Sequence, residues 1–202
     1  YKDTSNNLQQ TDSLENFELG GKFTLLDGRL SVNADIFELT WSDAPLLVLP
    51  ECLVNYRANA AEIRSRGVEF EAAAYLTDAF RVDLGFSYGD TVYESDVPSI
   101  NAVKGDRVTI SPKIKANLSM QYAFGIAGND GFVRLDTAYS DPILLPSQKL
   151  AGGGYVKVDA VSGISIDNFE WSIFVKNLTD VDDVIYPVTN GYGYYVRQRK
   201  IG

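Results

Sequence analysis

Three carboxylates stand close together at Asp180, Asp182 and Asp183, the kind of cluster in which a hard cation is first sought. Calcium loops draw their oxygens from fixed spacings around an invariant glycine. Neither feature is present here, so the run reads as a solvated acidic loop. Asn177-Leu178-Thr179 and Asn117-Leu118-Ser119 both match the N-glycan acceptor pattern. The second lies inside an alternating run where no sugar fits a wall of strands, and the first closes such a run. The chain has no histidine and a single cysteine, Cys52. That removes the commonest general base, most metal sites and every histidine-based nucleophile arrangement. No carboxylate pair sits in a recognisable pocket motif. An enzyme is therefore not expected, nor is a cofactor or a resident metal. Cys52 is either a spectator thiol or half of a bridge whose partner lies elsewhere. What remains with binding chemistry is aromatic and cationic. Tyr56 and Arg57 follow the apolar, proline-bounded stretch APLLVLPECLVN, and Tyr192, Tyr194 and Tyr195 lie near the end of the chain. Stacking and charge would suit them to an anionic or aromatic ligand. The apolar stretch either packs on a neighbouring loop, the favoured reading, or offers a patch to that ligand.

The elements that carry these residues are strands. From Phe17 to Leu25 every odd position is apolar or glycine, Asp27-Gly28 follows as a hairpin signal, and Leu30, Val32, Ala34 and Ile36 return. The same unit recurs three times. Val68–Ala74 turns at Thr77-Asp78 into Phe80–Tyr88, and Ile114–Phe124 turns through Gly125–Gly131 into Val133–Tyr139. Val158–Ile166 turns at Asp167-Asn168 into Phe169–Val175, and Tyr194–Ile201 starts a ninth strand. Connections between hairpins, at 42–61, 89–107, 141–154 and 180–193, are long beside the usual loop of about 4–6 residues. Strict alternation of short and long connections puts all short turns at one end of an up-and-down sheet and all long loops at the other.

Two architectures share this pattern, a soluble β-sandwich binding module and an outer-membrane barrel. The apolar faces persist for roughly 9–13 residues, as a tilted membrane-crossing strand requires, where sandwich strands run about 5–6. Aromatics collect as two belts, with Tyr75, Phe80, Tyr122, Phe124, Phe169 and Trp171 beside the short turns and Phe37, Trp41, Tyr88 and Tyr139 toward the long loops. The opposite face carries Glu69, Glu71, Arg81, Asp83, Lys113, Lys115, Arg134 and Asp136 in mid-strand. Such charges suit a wet lumen and are costly in a dry core. The net charge of −9 argues against a nucleic-acid partner. The fold class is all-β, an antiparallel up-and-down transmembrane β-barrel, partial, with about eight strands and the start of a ninth. Outer-membrane lipid is then a partner.

The residues carry a resemblance. KNLTD at Lys176–Asp180 resembles the segment before the last hairpin loop of TonB-dependent outer-membrane receptors, and IRSRGVEFEAAAYL (63–76) resembles a mid-barrel strand of that family. LSVNADIFELTWSD (30–43), TISPKIKANLSMQY (109–122), YVKVDAVSGISI (155–166) and YVRQRKIG (195–202) are similar in type and order. The resemblance implies a Gram-negative outer membrane and active uptake of a scarce small-molecule or metal-chelate ligand, energised through TonB. Siderophore-iron, cobalamin, nickel complexes and oligosaccharides are the ligand classes it leaves open. The family's barrel has about 22 strands around a plug. Residues 1–202 accordingly read as a C-terminal barrel portion, with the plug domain and the TonB-contacting segment absent. A small self-contained barrel of structural or adhesive role is the alternative, which the start of a ninth strand opposes.

Overall fold

In the computed structural model, the described residues are 11–48, 56–108, 111–145, 149–182, 184–187 and 193–202. They form an open antiparallel sheet of nine strands with two small hairpins at one end. The sheet runs β1 (Ser13–Leu25), β2 (Leu30–Val48), β3 (Tyr56–Tyr75), β4 (Phe80–Tyr93), β5 (Ile114–Ile126) and β6 (Asn129–Ser140) in sequence. The small hairpin of β7 (Ile143–Leu145) and β8 (Lys149–Gly152) intervenes before β9 (Tyr155–Ile166) and β10 (Phe169–Lys176) continue the sheet. A second small hairpin, β11 (Val184–Pro187) with β12 (Gly193–Tyr195), precedes β13 (Lys200–Ile201), which pairs with β10. The outer edge of β1 has no partner strand among the described residues.

The eight expected strands are present, and their four short turns lie at one end. Ala127-Gly128 makes a two-residue turn with φ of 51° and 83°, so β5 and β6 run through most of the expected broad turn at Gly125–Gly131. A pair of positive φ values is what a twisted two-residue hairpin needs. At Thr77 the hydroxyl oxygen accepts the N–H groups of Ala79 and Phe80, closing the second hairpin. The expected long loop at 42–61 is mostly strand. β2 and β3 stay paired up to Val48 and Tyr56, past a bulge at which Asp43 takes a φ of 57°. A bulge absorbs the residue that breaks alternation and tolerates Pro45 without ending the ladder. The expected ninth strand is two short pieces, because Gly193–Tyr195 pairs with β11 and only Lys200–Ile201 reaches β10.

Register assigns the faces, since directly opposed residues in an antiparallel pair point the same way. One row reads Val32, Ala72, Leu84, Leu118, Thr137 and Val158, and the next on the opposite face reads Asp83, Ser119, Asp136 and Asp159. Apolar residues on the first face are open to the surroundings. Phe17, Leu19, Phe169, Trp171 and Ile173 are each at least 64 % exposed. Toward the long loops this face ends in Glu38, Arg66 and Asp90, paired in one row, with Arg66 bonded to Glu38.

The faces expected for four residues are corrected. Phe37, Trp41 and Tyr75 lie on the polar face, opposite Gly67, Ile63 and Arg81. The outward aromatic belts therefore consist of Phe80, Tyr122, Phe124, Phe169 and Trp171 at one height and Tyr88 and Tyr139 at the other. In β2 the apolar pattern changes phase at Ile36-Phe37, so both faces are apolar there and simple alternation misassigns the aromatics. Lys113 is not on the polar face. It sits just before β5 and turns outward to Asp90 at 2.7 Å, with its ammonium 6.0 Å from the Tyr88 ring centre.

Candidate functional site

The polar face is the candidate site, and its two halves differ. Across β4, β6 and β9 the same device recurs, a cation two residues before an aspartate on one strand face. Arg81 meets Asp83 at 2.6 Å, Arg134 meets Asp136 at 2.8 Å, and Lys157 meets Asp159 at 3.1 Å. Residues i and i+2 share a face, so each strand neutralises its own charges. Lys176 adds a second contact to Asp159 at 3.5 Å, and Arg81 also lies 5.5 Å from the Tyr75 ring centre. The three cation–aspartate pairs and Tyr75 line a concavity of about 540 Å³.

The half built by β1, β2 and β3 is not balanced in this way. Glu18, Asp35, Glu69 and Glu71 line a concavity of about 500 Å³ with Lys22 and Lys115. Among the described residues none of these four carboxylates makes an ion pair, and Glu71 accepts one hydrogen bond, from the Asn33 amide at 3.3 Å. With four carboxylates against two lysines, this wall is net negative. A wet surface tolerates it, and a cationic group facing it would be attracted.

Above this wall the connection between β4 and β5 folds over the polar face. Val97 and Ala102, 1 % and 3 % exposed, pack with Ile63 and Tyr93 and with Ala44 and Ala61, while Trp41, Leu46, Ile100 and Val108 rest against the cluster. Val97 and Ala102 exchange backbone hydrogen bonds of 2.8 and 3.2 Å around a single 3-10 turn at Pro98–Ile100. The Asp96 carboxylate accepts the Lys104 N–H at 2.8 Å, and Asp106 accepts that of Val103 at 3.0 Å. Glu94 is held by Arg64 at 2.8 Å and Lys104 at 3.2 Å. The connection is therefore a ledge with its own small core and satisfied polar groups. Alternation alone missed it. The legible signal was Phe37, Leu39 and Trp41, apolar residues at consecutive positions of a face that is otherwise charged.

The KNLTD motif at Lys176–Asp180 is a hydrogen-bonded junction. Asn177, 1 % exposed, has a φ of 55°, and Asp180 has one of 57°, so both turn the chain in the left-handed region as expected of Asn and Asp. The buried amide of Asn177 is fully engaged, which leaves no room for a glycan. Asp180 bonds to Arg199 at 3.4 Å, and Asp182 is exposed, while Asp183 lies outside the described residues.

The five candidate ligand contacts are placed in part. Tyr56 and Arg57 open β3 opposite Val48 and Leu47, at the long-loop end of the sheet. Tyr194 and Tyr195 lie on β12 opposite Tyr186 and Val184, and Tyr195 is 54 % exposed. Tyr192 and Cys52 lie outside the described residues. The described members of both groups occupy the long-loop end, yet β3 belongs to the nine-stranded sheet and β12 to the separate hairpin with β11, and no described pairing brings them together.

An open antiparallel sheet with an exposed apolar band, aromatic belts and a charged inner face defines the wall of a transmembrane β-barrel. Residues 5–178 match the family described as TonB dependent receptor-like, beta-barrel, and the chain belongs to that family. It is 25 % identical over 215 residues to the ferrioxamine B receptor of Salmonella typhimurium, covering all of this chain and 29 % of that protein. It is 27 % identical over 190 residues to the ferrichrome outer membrane transporter/phage receptor of Escherichia coli, covering 89 % of this chain and 24 % of the other. The ferric yersiniabactin uptake receptor FyuA of Yersinia pestis superposes with a TM-score of 0.79 at 20 % identity, over 94 % of this chain and 29 % of that one. The chain thus spans less than a third of the relatives it matches. The family is one of receptors, and its setting is the outer membrane of a Gram-negative bacterium.

Proposed function

We propose that this chain is a C-terminal portion of the barrel of an outer-membrane receptor that takes up a ferric siderophore, driven by the inner-membrane proton gradient through TonB. The observation that carries the reading is the two-faced wall, with a lipid-directed band on one side and, on the other, a charged lumen overhung by a ledge. The names of the relatives favour iron chelates over cobalamin or oligosaccharides. In this reading the four unpaired carboxylates of β1, β2 and β3 face cationic groups of a plug domain within the lumen. Tyr56, Arg57, Tyr194 and Tyr195, at the long-loop end, together with Tyr192, contact the chelate by stacking and charge. The work of this portion is passive: it forms the wall, seals the lumen and presents the loops, while energy enters elsewhere.

The test is growth of an iron-starved strain whose natural copy has been deleted, supplied with ferrioxamine B or ferrichrome as sole iron source. Uptake restored by the full-length protein and lost in a tonB-deficient background supports the proposal. Restored uptake that ignores TonB, or binding of neither chelate by purified protein, overturns it. The intact mass of the polypeptide in outer membranes decides separately whether the chain belongs to a much larger barrel. A mass close to 22.3 kDa would favour the small self-contained barrel.

A further inference from the structure

We propose that the outward face of β2, β3 and β4 carries a lipid site. Arg66 takes the phosphate of a lipid of the extracellular leaflet, and the groove beside it takes an acyl chain. This groove, of about 640 Å³, opens on the outward face toward the long-loop end. Its apolar part includes the row Ile36, Val68 and Tyr88, and the next row toward the long loops is Glu38, Arg66 and Asp90. Head and tail of one ligand therefore meet two different surfaces two residues apart. The height fits as well. Tyr88 belongs to the aromatic belt, and Asp90 lies two residues further along β4. That step is about 7 Å of strand, or about 5 Å along the membrane normal at a tilt of about 40°. The headgroup region on each side of the hydrocarbon core is about 5–7 Å thick. The charged row lies among headgroups, while Ile36 and Val68 lie among acyl chains. Long loops of outer-membrane barrels are extracellular, which places the site in the outer leaflet.

The charged row leaves its arginine open. Arg66 donates to Glu38 through Nε alone, and among the described residues its two terminal nitrogens have no partner. Its side chain is 56 % exposed. In the lumen the corresponding device is closed, since Arg81 reaches both carboxylate oxygens of Asp83 through Nε and a terminal nitrogen. A guanidinium held at one nitrogen, with the other two unbonded, offers a planar fork for two phosphate oxygens. Lys113 brings a second positive charge to the same row. Its ammonium is held by Asp90 at 2.7 Å, against the Tyr88 ring. Glu38 and Asp90 balance the two cations, so the empty row is neutral and sits at the interface without a net charge to solvate. An acyl chain on Ile36 and Val68 adds contact that no soluble anion can make. The groove continues the lipid-directed band of the wall, and the fork at its upper end selects a lipid that carries phosphate.

The site is tested on the full-length protein, folded in outer membranes, extracted in mild detergent and stripped of lipid. It is then titrated with lipid A, a phosphorylated glycolipid of the extracellular leaflet, and bound lipid is counted by native mass spectrometry. Arg66→Gln should lower the affinity at least about tenfold, as expected for losing a charge-assisted contact. Val68→Trp fills the groove, leaves every charge in place and should lower the affinity as well. Arg29→Gln removes the same charge beside a short turn, where Arg29 pairs with Asp78, and should change nothing. Inorganic phosphate at the lipid's concentration should not compete. Affinity unchanged in either R66Q or V68W, an equal fall in R29Q, or displacement by inorganic phosphate each overturns the site. Folding is followed in parallel by heat-modifiable migration. If R66Q yields no folded barrel, V68W decides alone: a fall supports the lipid site, and an unchanged affinity refutes it. None of these outcomes depends on which chelate the receptor carries.

Discussion

Replacing Leu84 by arginine tests which face of the wall meets lipid. Leu84 sits midway along β4, four residues from Phe80 beside the short turn and four from Tyr88 in the opposite aromatic belt. At about 3.4 Å per residue these eight steps cover about 27 Å of strand, and a tilt of about 40° reduces this to a band about 21 Å high. Leu84 is then about 10 Å from either interface, too deep for a guanidinium to reach water cheaply. The expected cost is about 2–4 kcal/mol, the penalty of a midplane arginine on a barrel's lipid face. This corresponds to a shift of about 30- to 900-fold in the folding equilibrium. Ser119→Arg provides the contrast at nearly the same depth, because Ser119 lies on the opposite face between Asp83 and Asp136. There the new cation meets water and two carboxylates, and the cost should be below about 1 kcal/mol. The assay is reversible unfolding of the full-length protein from lipid vesicles in denaturant, scored by cold-gel migration. Equal costs for the two variants, or a Leu84→Arg protein as stable as its parent, would refute the assignment of the faces.

Other outcomes follow from the same structure. Trp171 is outward and 64 % exposed while Trp41 packs under the ledge, so brominated lipids should quench the fluorescence lost in Trp171→Phe and spare that lost in Trp41→Phe. Gly67→Ala should destabilise the barrel by about 1–3 kcal/mol in thermal unfolding. A methyl group there would sit 2.3 Å from the Tyr88 carbonyl oxygen and 2.5 Å from the Phe37 ring, and the backbone contact cannot swing away. Val97→Asp, which puts an unpaired carboxylate into the ledge's core, should leave the strands intact and make the connection cleavable by trypsin after Lys104. A connection still resistant in that variant would mean that the core does not hold it.

Much of this protein was legible in order of sequence. Period-two alternation located eight strands, and the turn residues marked four hairpins, because both signals depend on neighbours a few residues apart. Asn177 and Asp180 declared a turn for the same reason, since their short polar side chains favour the left-handed region. Other features depend on partners far away in the chain. Whether Phe37 faces lipid or lumen is decided by the residue that β3 places opposite it, Gly67, which leaves room for the ring. The bulge at Asp43 lets β2 and β3 continue where composition suggested a loop, and the apolar residues beyond it are spent on pairing and on a core under the ledge. The balance of the lumen is also a cross-strand property. Arg81-Val82-Asp83, Arg134-Leu135-Asp136 and Lys157-Val158-Asp159 could be read singly in the sequence, but only register aligns their aspartates in one row and leaves the other half, with Glu69 and Glu71, net negative. The sequence by itself determined a two-faced strand protein, because alternation is a local property of the chain. The tertiary structure decided which residues share the lumen, since a one-residue change of register reverses every face.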